Sequence, residues 1–310
     1  MKRVRRWLPW LVAAAILAVL VREIQLDPLR DAFRHGAYLA LSAYIVLEIV
    51  LVLPLDAFGT REALAAAGVS RPWKEVLLAR GASYLLGLLS YVAGQGGMGY
   101  YLARTGAPVG RSAGAVLLLM IANGIVLVVL GAVGLTVELV RGGLDAAPRE
   151  LLLLTIAGAF AGTLAYLGVI AARPRWLERF GFLAPLLEAG LGGHLRAIAA
   201  RFPHMLLLMV LHWGAFRVWG IAVPPVRGLA LNPIVRLLSA LPITPGGLGT
   251  TQALQVLFFS PWAPAPTAEG RAAAVLAFSL VHHVVSLVIQ GAIGLACLVP
   301  LRRALPPERA

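Results

Sequence analysis

Apolar runs long enough to cross a bilayer follow one another along almost the whole chain, near residues 7–21, 37–54, 76–102, 112–138, 151–172, 203–223, 230–260 and 271–299. A spanning helix needs about 20 such residues. Hydrocarbon offers the backbone no water to bond, so segments that satisfy their own N–H and C=O groups, above all helices, are what can cross it. Composition points the same way: 60% of the residues are hydrophobic and 13% are charged, where an ordinary soluble domain carries about 25% charged residues. Such a chain cannot cover itself with a water-facing surface. The expected class is an all-α polytopic membrane protein, without room in 310 residues for a separate soluble catalytic domain. The longest polar intervals, around 22–35, 55–75 and 173–202, read as loops or surface helices.

The net charge of +13 does not point to nucleic acid, because the basic residues sit in short clusters at the ends of apolar runs. That is the pattern of membrane orientation and of contact with anionic lipid. Cys297 is the one cysteine, so no intramolecular disulfide forms. The N-terminus, Met1-Lys2-Arg3-Val4-Arg5-Arg6 before an apolar run, is similar to a signal peptide. It lacks a small-residue cleavage site directly after that run, and reads as an uncleaved first helix.

A second pattern overlies the first. Gly96-Gly97-Met98-Gly99 returns as Gly246-Gly247-Leu248-Gly249, and each is followed by an apolar run opened by an arginine, Arg111 and Arg271. These runs close on Gly131-Ala132-Val133-Gly134-Leu135 and Gly291-Ala292-Ile293-Gly294-Leu295. A duplicated membrane unit with glycine-interrupted segments at matching places points to a transporter-like core with its site between the halves. The third run is expected to break at Gly94, Gly96, Gly97 and Gly99. The seventh is expected to break at Pro242, Pro245, Gly246, Gly247 and Gly249.

Lys and Arg favour the cytoplasmic side, which tests the topology. If all eight runs cross, the 27 basic residues divide almost evenly. If the two glycine-broken runs dip in and return, most of them fall on the cytoplasmic side. The rule therefore selects about six spanning helices plus two re-entrant hairpins, the hairpins at about 76–102 and 230–260. The halves, 1–140 and 141–310, are then inverted-topology repeats, and the two hairpins enter from opposite faces to meet near mid-depth. Both termini are cytoplasmic, and the expected location is the cytoplasmic (inner) membrane of a bacterium. Residues 173–202, where Trp176, Phe180 and Leu183 alternate with Arg175, Arg179 and Arg196, read as an interfacial amphipathic segment.

Within this scheme Gly96, Gly97, Gly99, Gly246, Gly247 and Gly249 expose backbone to a ligand; tight helix packing is the alternative. Glu48 and Arg217 lie mid-run in corresponding spans. A charge at the bilayer centre costs about 2.5–3.5 kcal/mol, so they are expected to face each other or the cavity. Arg80 and Arg236 precede the glycine segments and are placed to hold an anionic headgroup or to cap the hairpins. Gln252 follows the second segment. Asn123 and His283 correspond in the two halves, with His282 beside the latter. Adjacent helical residues diverge by about 100°, so His282 and His283 cannot share a metal. His212 stands alone, and no carboxylate neighbours the histidines in sequence. No metal and no cofactor are expected. The chain carries no nucleophile elbow, phosphate-binding loop or paired acidic motif, and an enzyme is not expected.

The stretch Leu241-Pro242-Ile243-Thr244-Pro245-Gly246-Gly247-Leu248-Gly249, the earlier Gly94-Gln95-Gly96-Gly97-Met98-Gly99 and the Arg111 run behind it resemble the flippase-like transmembrane domain of lysylphosphatidylglycerol synthetases and its stand-alone relatives. The resemblance spans most of the chain. It implies a protein that moves an amphipathic lipid between leaflets, of a kind associated with aminoacylated phospholipids, polyprenyl-phosphate carriers or hopanoids. Where such proteins usually carry a glutamate after the second glycine segment, this chain has Gln252. The chain ends at Ala310 without the soluble aminoacyl-transfer domain, so lipid aminoacylation by this chain alone is not expected. The expected function is translocation of an anionic or phosphate-bearing lipid, with Arg80, Arg217, Arg236 and backbone N–H groups around the headgroup. The rivals are a membrane-embedded transferase acting on lipid heads and a non-transporting scaffold for a lipid-modifying enzyme. Membrane lipids are the expected partners.

Overall fold

The computed structural model describes residues 2–24, 26–142, 146–240 and 244–304. Leu241, Pro242 and Ile243, which open the second glycine motif, lie outside the described residues. Every regular element among the described residues is helical. In chain order these are α1 (Lys2–Ile24), α2 (Leu26–Arg34), α3 (Tyr38–Ala66), α4 (Trp73–Gly87), α5 (Tyr91–Arg104), α6 (Val109–Val140), α7 (Ala146–Ala172), α8 (Ala184–Trp219), α9 (Pro225–Ser239), α10 (Thr250–Phe259) and α11 (Ala268–Ala304). Short 3₁₀ turns lie at Arg175–Arg179, Pro245–Gly247 and Ser260–Trp262.

Among the described residues, α3, α6, α7, α8 and α11 are long and apolar enough to cross a membrane. Large apolar side chains such as Leu39, Val50, Val133, Leu154, Val288 and Val299 stand exposed along them. A soluble monomer rarely exposes so many, whereas lipid accepts them. The protein is an all-α polytopic membrane protein.

Two helix pairs are built differently. The arms α4 and α5 have 15 and 14 residues, or about 21–22 Å each, against a hydrocarbon core of about 30 Å. They run antiparallel: Gly94 lies against Gly87 and Ser83, and Gly97 against Ser83 and Leu86. The chain turns at Leu88–Ser90, where Ser90 caps α5 by accepting a hydrogen bond from the N–H of Ala93 at 3.1 Å. A serine at this position satisfies a donor that the first turn of a helix leaves unpaired. The expected break at Gly94–Gly99 is therefore displaced. Those glycines are helical, and they let two backbones approach instead of interrupting one. The second pair, α9 and α10, also folds back on itself. The N–H of Ala222 donates to the carbonyl of Trp262 at 3.1 Å, and Arg227 stacks over the Trp262 ring. At its other end the turn does break at the glycines: Gly246, Gly247 and Gly249 have φ of 59°, 74° and 84°, values that L side chains rarely adopt.

Two of the polar intervals, read as loops or surface helices, carry helix that buries polar side chains. Residues 55–66 continue α3 and bury Asp56 and Thr60. After the 3₁₀ turn at Arg175–Arg179, residues from Ala184 enter α8, which kinks at Gly190 and runs on to Trp219. Arg201 is inside that helix and is 1% exposed. Helical continuity carried these polar groups inward because each found a partner there.

By packing, the chain divides into two compact units, residues 1–49 with 209–289 and residues 50–208 with 290–310. This division follows packing, whereas the expected halves, 1–140 and 141–310, follow sequence similarity. In the first unit, Leu20, Ile24 and Leu29 pack on Leu276 and Ala277 of α11. Phe216 stacks with Phe278 and Phe259 at centroid distances of 4.4 and 4.6 Å. In the second, Leu64, Val76, Met98, Leu102, Leu118 and Leu119 form a closed core.

A Cβ at Gly94 would lie 3.1 Å from the Cα of Gly87. Gly94→Leu should destabilise the protein by about 1–3 kcal/mol through overpacking. Gly96→Leu should be tolerated, because Gly96 is exposed with no atom within 4 Å of such a Cβ. Thermal unfolding in detergent distinguishes the two.

Candidate functional site

Polar side chains gather in two places, one in each unit, and they differ in how completely they are satisfied. In the second unit the centre is Asp56 on α3. Arg80 of α4 donates to Asp56 Oδ2 from Nε and Nη2 at 3.0 and 2.8 Å. Arg201 of α8 donates from Nη1 to Asp56 Oδ1 at 2.7 Å and to its backbone carbonyl at 2.8 Å. The other guanidinium nitrogens also find partners. Arg80 Nη1 reaches Gln95 Oε1 of α5 at 3.3 Å, Arg201 Nε reaches Asn123 Oδ1 of α6 at 2.6 Å, and Arg201 Nη2 reaches His204 Nδ1 at 2.9 Å. Asn123 in turn donates to the Tyr91 hydroxyl at 3.2 Å. Five helices thus converge on one carboxylate.

This network answers several expectations. Arg80 is occupied by a carboxylate of its own chain, and Asn123 serves Arg201. Gly96, Gly97 and Gly99 lie in α5, Gly96 exposed and Gly97 against Leu86. Sequence reading missed Asp56, Arg201 and His204 because the second run was ended at residue 54 and the interfacial reading of 173–202 took in Arg201. The available signals were the spacings Asp56/Thr60 and Arg201/His204, polar pairs set one helical turn apart.

The first unit holds the other group. Glu48 of α3 is buried, and its Oε2 lies 3.4 Å from Nε2 of His282 of α11. His212 of α8 packs edge-on to His282, ring centroids 4.7 Å apart. Ligand atoms of Glu48, His212 and His282 all lie within 4.8 Å of one another. His212 Nε2 is 2.9 Å from the side-chain nitrogen of Gln255 of α10. Arg236 of α9 is near enough to Glu48 and His212 to interact with both electrostatically. The expected pairing of Glu48 with Arg217 is not made: Arg217 lies in the last turn of α8 and is exposed, a place from which a long side chain reaches the interface. His283 is outside the group.

Beside these residues runs the glycine turn. Gln252 is fully buried and accepts the N–H of Gly249 through Oε1 at 2.6 Å, closing the start of α10. Thr244 and Thr250 share a hydrogen bond of 3.1 Å across the turn. Gly247 lies against the carbonyl of Ser239, one helical turn beyond Arg236, and Gly246 is exposed with open space around it. Here buried polar atoms are left over. Arg236 Nε, Ser239 Oγ, Gln252 Nε2, His212 Nδ1, Gln255 Oε1 and Asn232 Oδ1 have no hydrogen-bond partner among the described residues. Each buried polar group left so costs about 1–3 kcal/mol, so a group of them in one unit calls for an explanation.

The sequence matches the lysylphosphatidylglycerol synthase TM region over residues 6–294. The protein belongs to this family, which is linked to lipid headgroup modification and lipid handling at the membrane. No curated protein matches the chain.

Breaking a buried ion pair by removing one member typically costs about 3–5 kcal/mol. Asp56→Ala, which strands two arginines, should reach at least that range in reversible unfolding from detergent micelles. Glu188→Ala, which removes an exposed pair with Arg111, should cost no more than about 1 kcal/mol.

Proposed function

We propose that this protein translocates an anionic or phosphate-bearing amphipathic lipid, such as a phospholipid or polyprenyl-phosphate derivative, between bilayer leaflets. The observation that carries the reading is the set of buried, unpartnered polar atoms on α8, α9 and α10, joined by the glycine turn. Arg236 supplies the cation. Arg236 and Ser239 share a face of α9, Gln252 offers an amide N–H, and Gly246 leaves backbone open for close approach. A phosphate brings several acceptor oxygens to such donors, and the acyl or prenyl tails remain in hydrocarbon. Membership of a lipid-handling family supports the same class of substrate.

In this reading α4–α5 and α9–α10 are the re-entrant hairpins of two inverted repeats. Both termini are cytoplasmic, the membrane is the bacterial cytoplasmic membrane, and transport proceeds by alternating access. The protein is a carrier and not an enzyme. The second reading, a transferase acting on lipid heads, is favoured by one observation, the carboxylate and two imidazoles brought together at Glu48, His212 and His282.

Proteoliposomes carrying a fluorescent anionic phospholipid, assayed by reductant quenching of the outer leaflet, test the proposal. The wild-type protein should speed equilibration between leaflets. Arg236→Ala should slow it by roughly tenfold or more, the equivalent of one charged hydrogen bond, and Arg217→Ala should leave it unchanged. Equilibration no faster than in empty vesicles, for phospholipids and polyprenyl phosphates alike, would count decisively against transport.

A further inference from the structure

We propose that Glu48, His212 and His282 form a binding site for a divalent zinc-like cation. The site shares His212 and Gln255 with the polar set behind the translocation reading, but it does not require that any lipid move.

Three observations converge. The first is distance. Glu48 Oε2 and His282 Nε2 are 3.4 Å apart, long for a charge-assisted hydrogen bond of about 2.7–2.9 Å. Two ligands held tetrahedrally at about 2.0–2.1 Å from one zinc ion are about 3.3 Å apart, which is the spacing found. All three residues offer a ligand atom within 4.8 Å of the others, so side-chain rotation at His212 closes the other two edges. The second is the state of His212. It is buried, and Gln255 engages its Nε2 while Nδ1 has no partner. With the amide oxygen of Gln255 turned to Nε2–H, the lone pair falls on Nδ1, which is then able to ligate a cation. The third is the surroundings. Ligating imidazoles are held through their other nitrogen by a second polar group. Gln255 stands at His212, and Ser286 Oγ lies 3.5 Å from His282 Nδ1.

Ligand chemistry selects the metal. Two imidazoles and one carboxylate suit zinc and its first-row neighbours, whereas magnesium and calcium take all-oxygen sets. Three protein ligands leave a fourth position open for water or an anionic oxygen. The carboxylate absent from the histidines' sequence neighbourhood is thus supplied by a residue 234 positions away.

The experiment uses the full-length protein freed of any affinity tag, stripped with chelator and dialysed in detergent against Zn²⁺. Elemental analysis should return one zinc per chain, and an excess of Mg²⁺ or Ca²⁺ should not displace it. The cobalt-substituted protein should show the intense visible bands of a four- or five-coordinate ion. Glu48→Gln, His212→Gln and His282→Gln should each weaken binding by roughly tenfold or more, Gln255→Ala by about tenfold, and His283→Gln should leave it intact. Substoichiometric zinc in the wild type, or affinity unchanged in all three ligand variants, overturns the proposal. If the ligand variants do not elute as folded protein, the wild-type cobalt spectrum decides: weak, octahedral-type bands would mean a hydrogen-bonded packing cluster with no metal site.

Discussion

A carboxylate removed from water inside a lipid-embedded protein survives only with its charge answered. Asp56 is answered twice, one oxygen by Arg80 and the other by Arg201. The cost of taking such ions out of water is repaid when geometry is good and the remaining donors are satisfied. Here Gln95, Asn123 and His204 complete the set. Apolar packing alone leaves helices free to slide against one another, since lipid tails are as apolar as leucine. A directional network has one register. By fixing α3, α4, α5, α6 and α8 to a common point, Asp56 sets the arrangement in which the apolar core of that unit closes. Helical glycines in α5 belong to the same design, because the close approach of α4 and α5 brings Arg80 within reach of Gln95.

The first unit follows the opposite rule. It has a buried acid, two histidines, an arginine and two glutamines, yet several of their atoms find no partner among the described residues. The backbone beside them turns through three glycines with positive φ. Both oxygens of Asp56 are engaged, whereas the polar group around Arg236 keeps unpartnered atoms beside an exposed turn. That contrast, more than any single motif, separates the surroundings of Arg80 from those of Arg236.

The two glycine segments show how identical letters acquire different roles. Gly96-Gly97-Met98-Gly99 is helical because Ser90 starts α5 ahead of it and its backbone N–H groups are taken up by the helix. Gly246-Gly247-Leu248-Gly249 is a turn; Pro245, which has no N–H to give, stands before it, and Gln252 caps the helix that follows. The neighbours decide, since glycine itself is permissive.

The chain's own order of residues determined that this is a helical membrane protein, where its long apolar stretches lie, and that α9 and α10 separate at a glycine turn. These properties depend on local composition and on the length of segment a bilayer demands. Glu48, Arg236, Gln252, His212 and His282 were visible as polar residues set in or beside apolar stretches, but their partners were not. Which charge answers which is a matter of distance in space: Asp56 meets Arg201 across 145 positions and Glu48 meets His282 across 234. Only the packed helices decided those meetings, because the cost of an unpaired charge away from water is paid or avoided in three dimensions.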